Sequence, residues 1–389
     1  MKKTVKGIVI GVGSLLGVTL LLVGGYVGYV FGQYYRLEDN LDIEVENKSL
    51  VSSNINLNEE YKISTYNIGF GAYNQEYTFF MDEGYMEDGT KVVGTEASAF
   101  SKDAVLEDTN GAANTIKNFN PDFAFFQEVD TDSKRSYHVN QYDIIKETMG
   151  NYTSTYACNF HSAYLMYPLN KPMGVINSGI ATLSKFNIES SVRKSFTITD
   201  NKFDRLFDLD RCFNASYLPI NGSDKKFVLV NIHMSAYDKG GTIREKQMQE
   251  LNAFLDSEVE KGNYIVAGGD FNHDLLTYNP NYSFTKNNKP FSENFTQLTP
   301  DWLSFFFDEE GNGPINSLSV VASSNTPTCR DADITWQPGV SYVSTIDGFL
   351  VSSNIDVISH ANIQTATENL SGFAYSDHDP ATMTFKLKI

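Results

Sequence analysis

Between Gly7 and Tyr35 the chain carries no charged residue. The stretch from Gly7 to Phe31 is 25 residues dominated by Val, Leu, Ile and Gly. At ~1.5 Å per residue it measures roughly 37 Å, enough to cross a ~30 Å hydrocarbon layer with some tilt. Lys2, Lys3 and Lys6 precede it, and Arg36 is followed at once by Glu38, Asp39, Asp42 and Glu44. Lysine-rich flanks stay cytoplasmic, so residues 1–6 are expected inside, 7–32 across the membrane and the remainder outside. A cleaved signal peptide has a shorter apolar region and an Ala-x-Ala-like site. This run is longer and ends in Gly32-Gln33-Tyr34-Tyr35, so we read it as a retained single-pass anchor. Gly24, Gly28 and Gly32 recur at a spacing that lets helices pack closely, but glycine is common in membrane helices and no oligomer is implied.

Only three lysines and no acids lie before Arg36, so the rest of the chain holds 27 basic against 48 acidic residues, a formal charge of −21. Such a field repels long polyanions unless a cation or a local basic patch offsets it. It leaves nuclease chemistry open, because a bound cation inverts the local electrostatics. Three cysteines, Cys158, Cys212 and Cys329, stand far apart and form neither a disulfide framework nor a thiolate metal motif.

Residues 33–60 are polar, acidic and rich in Asn and Ser, the composition of a stalk; from residue 61 onward short apolar runs begin. Strands are expected at Ile63–Tyr66, Phe123–Phe126, Gly179–Leu183, Phe227–Ile232, Tyr264–Ala267, Ile346–Val351 and Ala381–Ile389. Ile243, Met248, Leu251, Phe254, Leu255 and Val259 recur at helical spacing, and a further helix is expected over Gly111–Phe119. Strands interspersed with a few helices predict one α/β (α+β) layered domain over 61–389.

Polar residues collect at the ends of these strands, where such sheets usually carry function. The segments are Tyr66-Asn67-Ile68-Gly69, Gln127-Glu128, Asn231-Ile232-His233, Gly268-Gly269-Asp270-Phe271-Asn272, Ile346-Asp347-Gly348 and Ser376-Asp377-His378-Asp379-Pro380. A carboxylate such as Glu128 at the end of an apolar strand is costly unless paired or bound to a cation. Asp270 and Asn272, two apart on an extended chain end, face the same way. Together these segments offer oxygen donors for a hard cation such as Mg²⁺, and two imidazoles, His233 and His378, for proton transfer. No His-rich or thiolate-rich set points to Zn²⁺.

These motifs, in this order, resemble the endonuclease/exonuclease/phosphatase superfamily of DNase I-like metallophosphoesterases, and the resemblance spans Tyr61–Ile389. It implies a four-layer sandwich, two central β-sheets flanked by helices, with the site at one edge of the sheets. It also implies a Mg²⁺ ion, with Mn²⁺ as a possible substitute, held by Glu128 with Asn67 and Asp377 nearby. Asp270 is then expected to position or deprotonate the attacking water and Asn272 to orient it or touch the phosphate. Asp347 is expected to fix the tautomer of His378, and His233 to contact the scissile phosphate. Arg211, in Asp210-Arg211-Cys212, falls where the family often places a phosphate-binding arginine. Arg135 is a further candidate phosphate contact, with a surface charge as its alternative. Departures from the family pattern are Gly69-Phe70-Gly71 after Asn67, Met234 after His233, and a long segment, Phe79 to Asn110, without a generic counterpart.

The expected activity is Mg²⁺-dependent hydrolysis of a phosphodiester, either a lipid head group or an extracellular nucleotide or nucleic acid. Nucleic acid enters only as substrate, and an extracellular nuclease proper is the alternative. A non-catalytic surface protein that kept the fold would be free to lose Glu128, Asp270 or His378, and none is lost. His138, His161, His273 and His360 have no motif around them and read as structural or surface groups. The aromatic stretches Tyr73–Phe80 and Tyr164–Tyr167 read first as core, with membrane contact as the alternative.

Overall fold

The computed structural model describes residues 2–86, 88–199, 210–236, 242–276 and 318–389. An N-terminal helix, α1 (Lys2–Gln33), leads into strands β1 (Leu41–Asp42), β2 (Val45–Glu46) and β3 (Glu60–Asn67). A small hairpin of β4 (Glu83–Tyr85) and β5 (Lys91–Val93) precedes α2 (Lys102–Phe119), β6 (Phe123–Asp130) and α3 (Gln141–Met149). The long hairpin of β7 (Thr153–Leu165) and β8 (Gly174–Ser184) is followed by β9 (Ser190–Ser195), β10 (Cys212–Pro219) and β11 (Lys226–His233). Then come α4 (Thr242–Glu260), β12 (Tyr264–Asp270), β13 (Leu318–Val321), β14 (Cys329–Arg330) and β15 (Val343–Ser344). The chain closes with β16 (Asp347–Ser352), β17 (Ile355–Asn362) and β18 (Ala381–Leu387).

Two seven-stranded sheets form the body, in the orders β1-β9-β10-β11-β12-β16-β13 and β17-β18-β3-β6-β8-β7-β2. Strand alternation explains the layering. In β11, Phe227 and Leu229 point into the space between the sheets and meet Phe123, Phe125, Val266, Phe349 and Phe385. Val228, Val230 and Ile232 point the other way and pack under Met248, Leu251 and Leu255 of α4. The second sheet does the same: Ala124 and Phe126 of β6 face Ala112, Ala113 and Ile116 of α2 and Ile145 of α3. Helix, sheet, sheet, helix is the four-layer sandwich expected from the motifs.

The helix expected over Gly111–Phe119 starts nine residues earlier, at Lys102. Its cap is Ser101, whose Oγ accepts from the Ala104 N–H at 3.1 Å. The polar segment 33–60 lies along the body. β1 pairs with β9, β2 pairs with β7, and Ile55 is fully buried between the sheets. Ile43, Val45, Ile55 and Leu57, packed against or within the core, seat this otherwise polar stretch on the body. α1 is long and apolar enough, by length and composition, to cross a membrane.

Candidate active site

Strand register assembles the site. The parallel pairing of β11 and β12 sets His233 beside Asp270, and the antiparallel pairing of β12 and β16 sets Asp270 opposite Asp347. In the other sheet, the parallel pairing of β3 and β6 sets Asn67 beside Gln127, one residue before Glu128. The loop ahead of β18 delivers Asp377 and His378, steadied by a bridge between Cys329 and His378 and by Arg330 N–H donating to the Asp377 carbonyl at 2.9 Å. The carboxyl ends of β3, β6, β11 and β12 and the amino end of β16 therefore meet at one point.

Local backbone devices aim the side chains. β6 is bulged between Phe126 and Val129, and Glu128 there has φ 53°. The bulge turns its carboxylate out of the strand pattern, leaving the side chain about a quarter exposed among buried neighbours. Gly269 has φ 145°, and a Cβ there would meet the Ile232 carbonyl oxygen at 2.0 Å, so only glycine fits before Asp270.

Asp270 is the hub. Its Oδ2 accepts from Asn67 Nδ2 at 3.0 Å and lies 3.6 Å from His233 Nε2 and 3.8 Å from His378 Nε2. Its Oδ1 accepts from the Asn272 N–H at 2.8 Å. The Asn272 side chain itself donates to the Met234 carbonyl at 2.8 Å. Asn67 Nδ2 also reaches Glu128 Oε1 at 3.4 Å, and Asn67 Oδ1 accepts from the Gly69 N–H at 3.0 Å. Asn67 thus links the two carboxylates through its amide nitrogen.

The two histidines are set in opposite states. His378 Nδ1 is 2.7 Å from Asp347 Oδ2. Burial disfavours charge on His378, but the Asp347 carboxylate, with Cys329 and Asp270 beside it, holds its pKa well above the ordinary value. His233 is pushed well below, by burial first and then by the positive charges of Arg211, His378 and Arg135. Asn159 Nδ2 lies 3.4 Å from His233 Nδ1. An amide nitrogen only donates, so neutral His233 carries its proton on Nε2, facing Glu128 and Asp270.

Burial pushes Asp270 and Asp377 each up to about 6; a nearby cation would relieve both. Carboxylates with a neutral amide among them, and one carboxylate partly open, suit a hard divalent cation. Glu128 and Asp377, whose charges oppose one another, are the residues that would hold it. Among the described residues, Asp270, Asp347 and His378 also bring donor atoms within 4.8 Å of one another. There the 2.7 Å bond between Asp347 and His378 already accounts for the proximity as a proton-sharing pair.

Arg211 is buried, and close enough to His233 to lower its pKa. Arg135 is buried rather than on the surface: its Nε and Nη2 grip both oxygens of Asp130 at 3.0 and 2.8 Å, and its guanidinium lies 3.8 Å over the Phe70 ring. It adds positive potential while its fork is occupied. His138 pairs with Asp132 on the surface and His161 lies near Asp210.

Residues outside the motifs complete the site. Asn159 sets the tautomer of His233. Thr328 Oγ1 accepts from the backbone N–H groups of Ile346 and Asp347 at 3.0 and 3.1 Å. Arg330, fully buried, donates to the carbonyls of Asn74 and Tyr77 at 2.9 and 3.2 Å and lends positive potential to Asp377. A lone Asn, Thr or Arg in an unremarkable stretch carries no spacing signal, so none was legible beforehand.

Residues 64–378 match the model of the endonuclease/exonuclease/phosphatase family. The structure is similar to that of an endonuclease/exonuclease/phosphatase from Beutenbergia cavernae DSM 12333, with a TM-score of 0.50 and 16% identity over 85% of this chain and 72% of that one. It is also similar to ANGEL2, a 2',3'-cyclic phosphatase in complex with adenosine-2',3'-vanadate, with a TM-score of 0.50 and 18% identity over 91% of this chain and 100% of that one. At these identities the likeness speaks to the fold. No curated protein gives a significant sequence match.

Proposed function

The chain belongs to the endonuclease/exonuclease/phosphatase family of phosphoester-hydrolysing, divalent-metal enzymes, and we propose that it is a Mg²⁺-dependent phosphodiesterase anchored by α1 with its catalytic body outside the cell. The observation that carries this reading is the hub at Asp270, flanked within 4 Å by two imidazoles whose pKa values are shifted in opposite directions.

When bound, Mg²⁺ would supply positive charge to the phosphate oxygens and lower the cost of crowding Glu128 against Asp377. The chain's own groups would do the rest. Asp270, with Asn67 and Asn272 fixing its two oxygens, accepts the proton of the attacking water. Charged His378, oriented by Asp347, stabilises negative charge growing on the phosphate. Neutral His233 donates its Nε2 proton as a hydrogen bond to a phosphate oxygen. Arg211 and Arg135 supply positive potential, which draws an anionic group into an otherwise acidic surface.

The substrate is either a lipid head-group phosphodiester or an extracellular nucleotide or nucleic acid. The net acidity of the body favours the lipid or a small molecule over a long polyanion. Assay of the full chain in detergent, with Mg²⁺ or with EDTA, against sphingomyelin, phosphatidylinositol, cyclic and linear nucleotides, DNA and RNA tests the reading. No Mg²⁺-dependent turnover of any of them would refute it.

A further inference from the structure

The helix α1 does not leave the body on a free tether. Arg36 grips Asp210 through Nε at 3.0 Å and Nη2 at 2.9 Å, the Leu37 N–H donates to the same carboxylate, and the Tyr35 ring stacks 4.0 Å from His161. Deeper in the helix, Tyr26 Oη donates to the Tyr164 carbonyl at 3.1 Å and accepts from the Met166 N–H at 3.0 Å. Tyr29 Oη accepts from the Tyr164 N–H at 3.2 Å.

These contacts fix a direction. Going from Tyr35, just after the helix, back to Tyr26 within it, the partners advance from His161 on β7 to Met166 just past its end. The β7–β8 hairpin therefore runs back along α1, and its tip reaches at least as far as the turn carrying Tyr26. That turn lies ~10 Å inside the helix end at Gln33. The apolar helix Val5–Gln33 is longer than a ~30 Å hydrocarbon layer requires. With the span beginning at Gly7, just after Lys6, about 20 residues fill the hydrocarbon, which puts Tyr26 and Tyr29 at its outer edge, where aromatic residues of membrane helices collect. The hairpin tip is at that same level and presents three apolar side chains, Met166 at 48%, Tyr167 at 65% and Leu169 at 85% exposure, beside exposed Asn170 and a Lys171 paired with Glu96. Tyr167 is also backed by Phe80 at 5.5 Å, beside exposed Met81.

We propose that the tip of the β7–β8 hairpin, through Met166, Tyr167 and Leu169, is embedded in the outer interfacial layer of the membrane that α1 spans. The proposal rests on the reading of α1 as a membrane span given above. With the Arg36–Asp210 clasp it makes two attachments of one rigid body, so the active site keeps a fixed orientation toward the bilayer. β7 itself connects the two places: Asn159, which sets the His233 tautomer, lies ~20 Å along the strand from Leu165. The body's net negative charge gives no attraction to anionic lipid, so the contact rests on apolar burial and should be insensitive to salt.

The test uses the full chain in phosphatidylcholine vesicles carrying Leu169→Trp, with Ile389→Trp at the 94% exposed C-terminus as reference. Relative to the parent chain, the fluorescence added by the Leu169→Trp indole should be lost in vesicles with brominated acyl chains and resist aqueous iodide, at low and high salt alike. The reference should behave oppositely. Adding Tyr167→Asp should reduce the lipid quenching. Flotation with the vesicles reports α1 separately. Retained flotation without lipid quenching overturns the docking and leaves the anchor and the phosphodiesterase reading untouched. Shielding from iodide without lipid quenching means that another protein surface covers the tip, and also overturns it. Neither readout involves turnover.

Discussion

Asp347 Oδ2 and His378 Nδ1 lie 2.7 Å apart although 31 residues separate them in sequence, and both side chains are almost wholly buried. The pair ties one sheet, through β16, to the loop that enters β18 of the other. It holds the imidazole with Nε2 toward Asp270 and raises its pKa.

Residues that act as one unit share one effect. His378→Ala is expected to lower kcat by the ~10²-fold or more typical of removing one group that stabilises transition-state charge. Asp347→Asn should give a smaller loss, and the double variant should fall close to His378→Ala alone. Losses that multiply in the double variant would separate the two residues.

Cation binding is measurable without turnover. A ligand that binds only the folded state at about 100 times its Kd adds about 2.7 kcal/mol of stability. Mg²⁺ should therefore raise the Tm of the wild-type chain, and EDTA should reverse the rise. In Glu128→Gln the rise should need far higher Mg²⁺. An equal rise in the variant would remove Glu128 from the cation site.

Gly269→Ala puts a methyl group against the Ile232 carbonyl in a backbone region that L residues avoid. Stability should fall by about 3 kcal/mol or more, the range of strained core positions. Because Asp270 follows directly, specific activity of the folded fraction should fall as well. Urea unfolding and kcat on one preparation check both halves.

Asp108 on α2 is buried, and burial pushes its pKa up to about 8, partly offset by Asn74 Nδ2 donating to its Oδ2 at 3.1 Å. Its folded pKa is raised above the unfolded value near 3.9. Folding therefore favours the protonated form, and stability declines as pH rises from about 4 to about 8. Asp108→Asn keeps a neutral polar group there, so the variant should be more stable than wild type at pH 8 and differ little at pH 4. Melting curves across that interval should converge toward acid. A difference that grows toward acid would reverse the assignment.

The motifs were legible because each is a strand end followed by a turn. Asp270 after Gly-Gly, and Glu128 after an apolar run, stand out by local spacing; Asn272, expected to face the same way as Asp270, has φ 50° and turns its side chain to the Met234 carbonyl. The wider network was not legible. Asn159, Thr328 and Arg330 act on His233, Asp347 and Asp377 from positions 74, 19 and 47 residues away in the chain.

By itself the sequence determined the membrane-length helix, the strand and helix periodicities, the layered α/β class and the set of polar residues at strand ends, since each depends on near neighbours along the chain. Tertiary structure alone decided that His233, Asp270 and Asp347 stand in adjacent strands, because register is set by packing between Phe227, Val266 and Phe349 across distant segments. It also decided that the pKa of one histidine is raised and that of the other lowered, since burial and neighbouring charges come from residues remote in sequence. The burial of Arg135, for which the sequence also allowed a place on the surface, was likewise a tertiary decision: nearby Asp130 holds its fork, and the ring of Phe70, 65 residues away, covers the guanidinium.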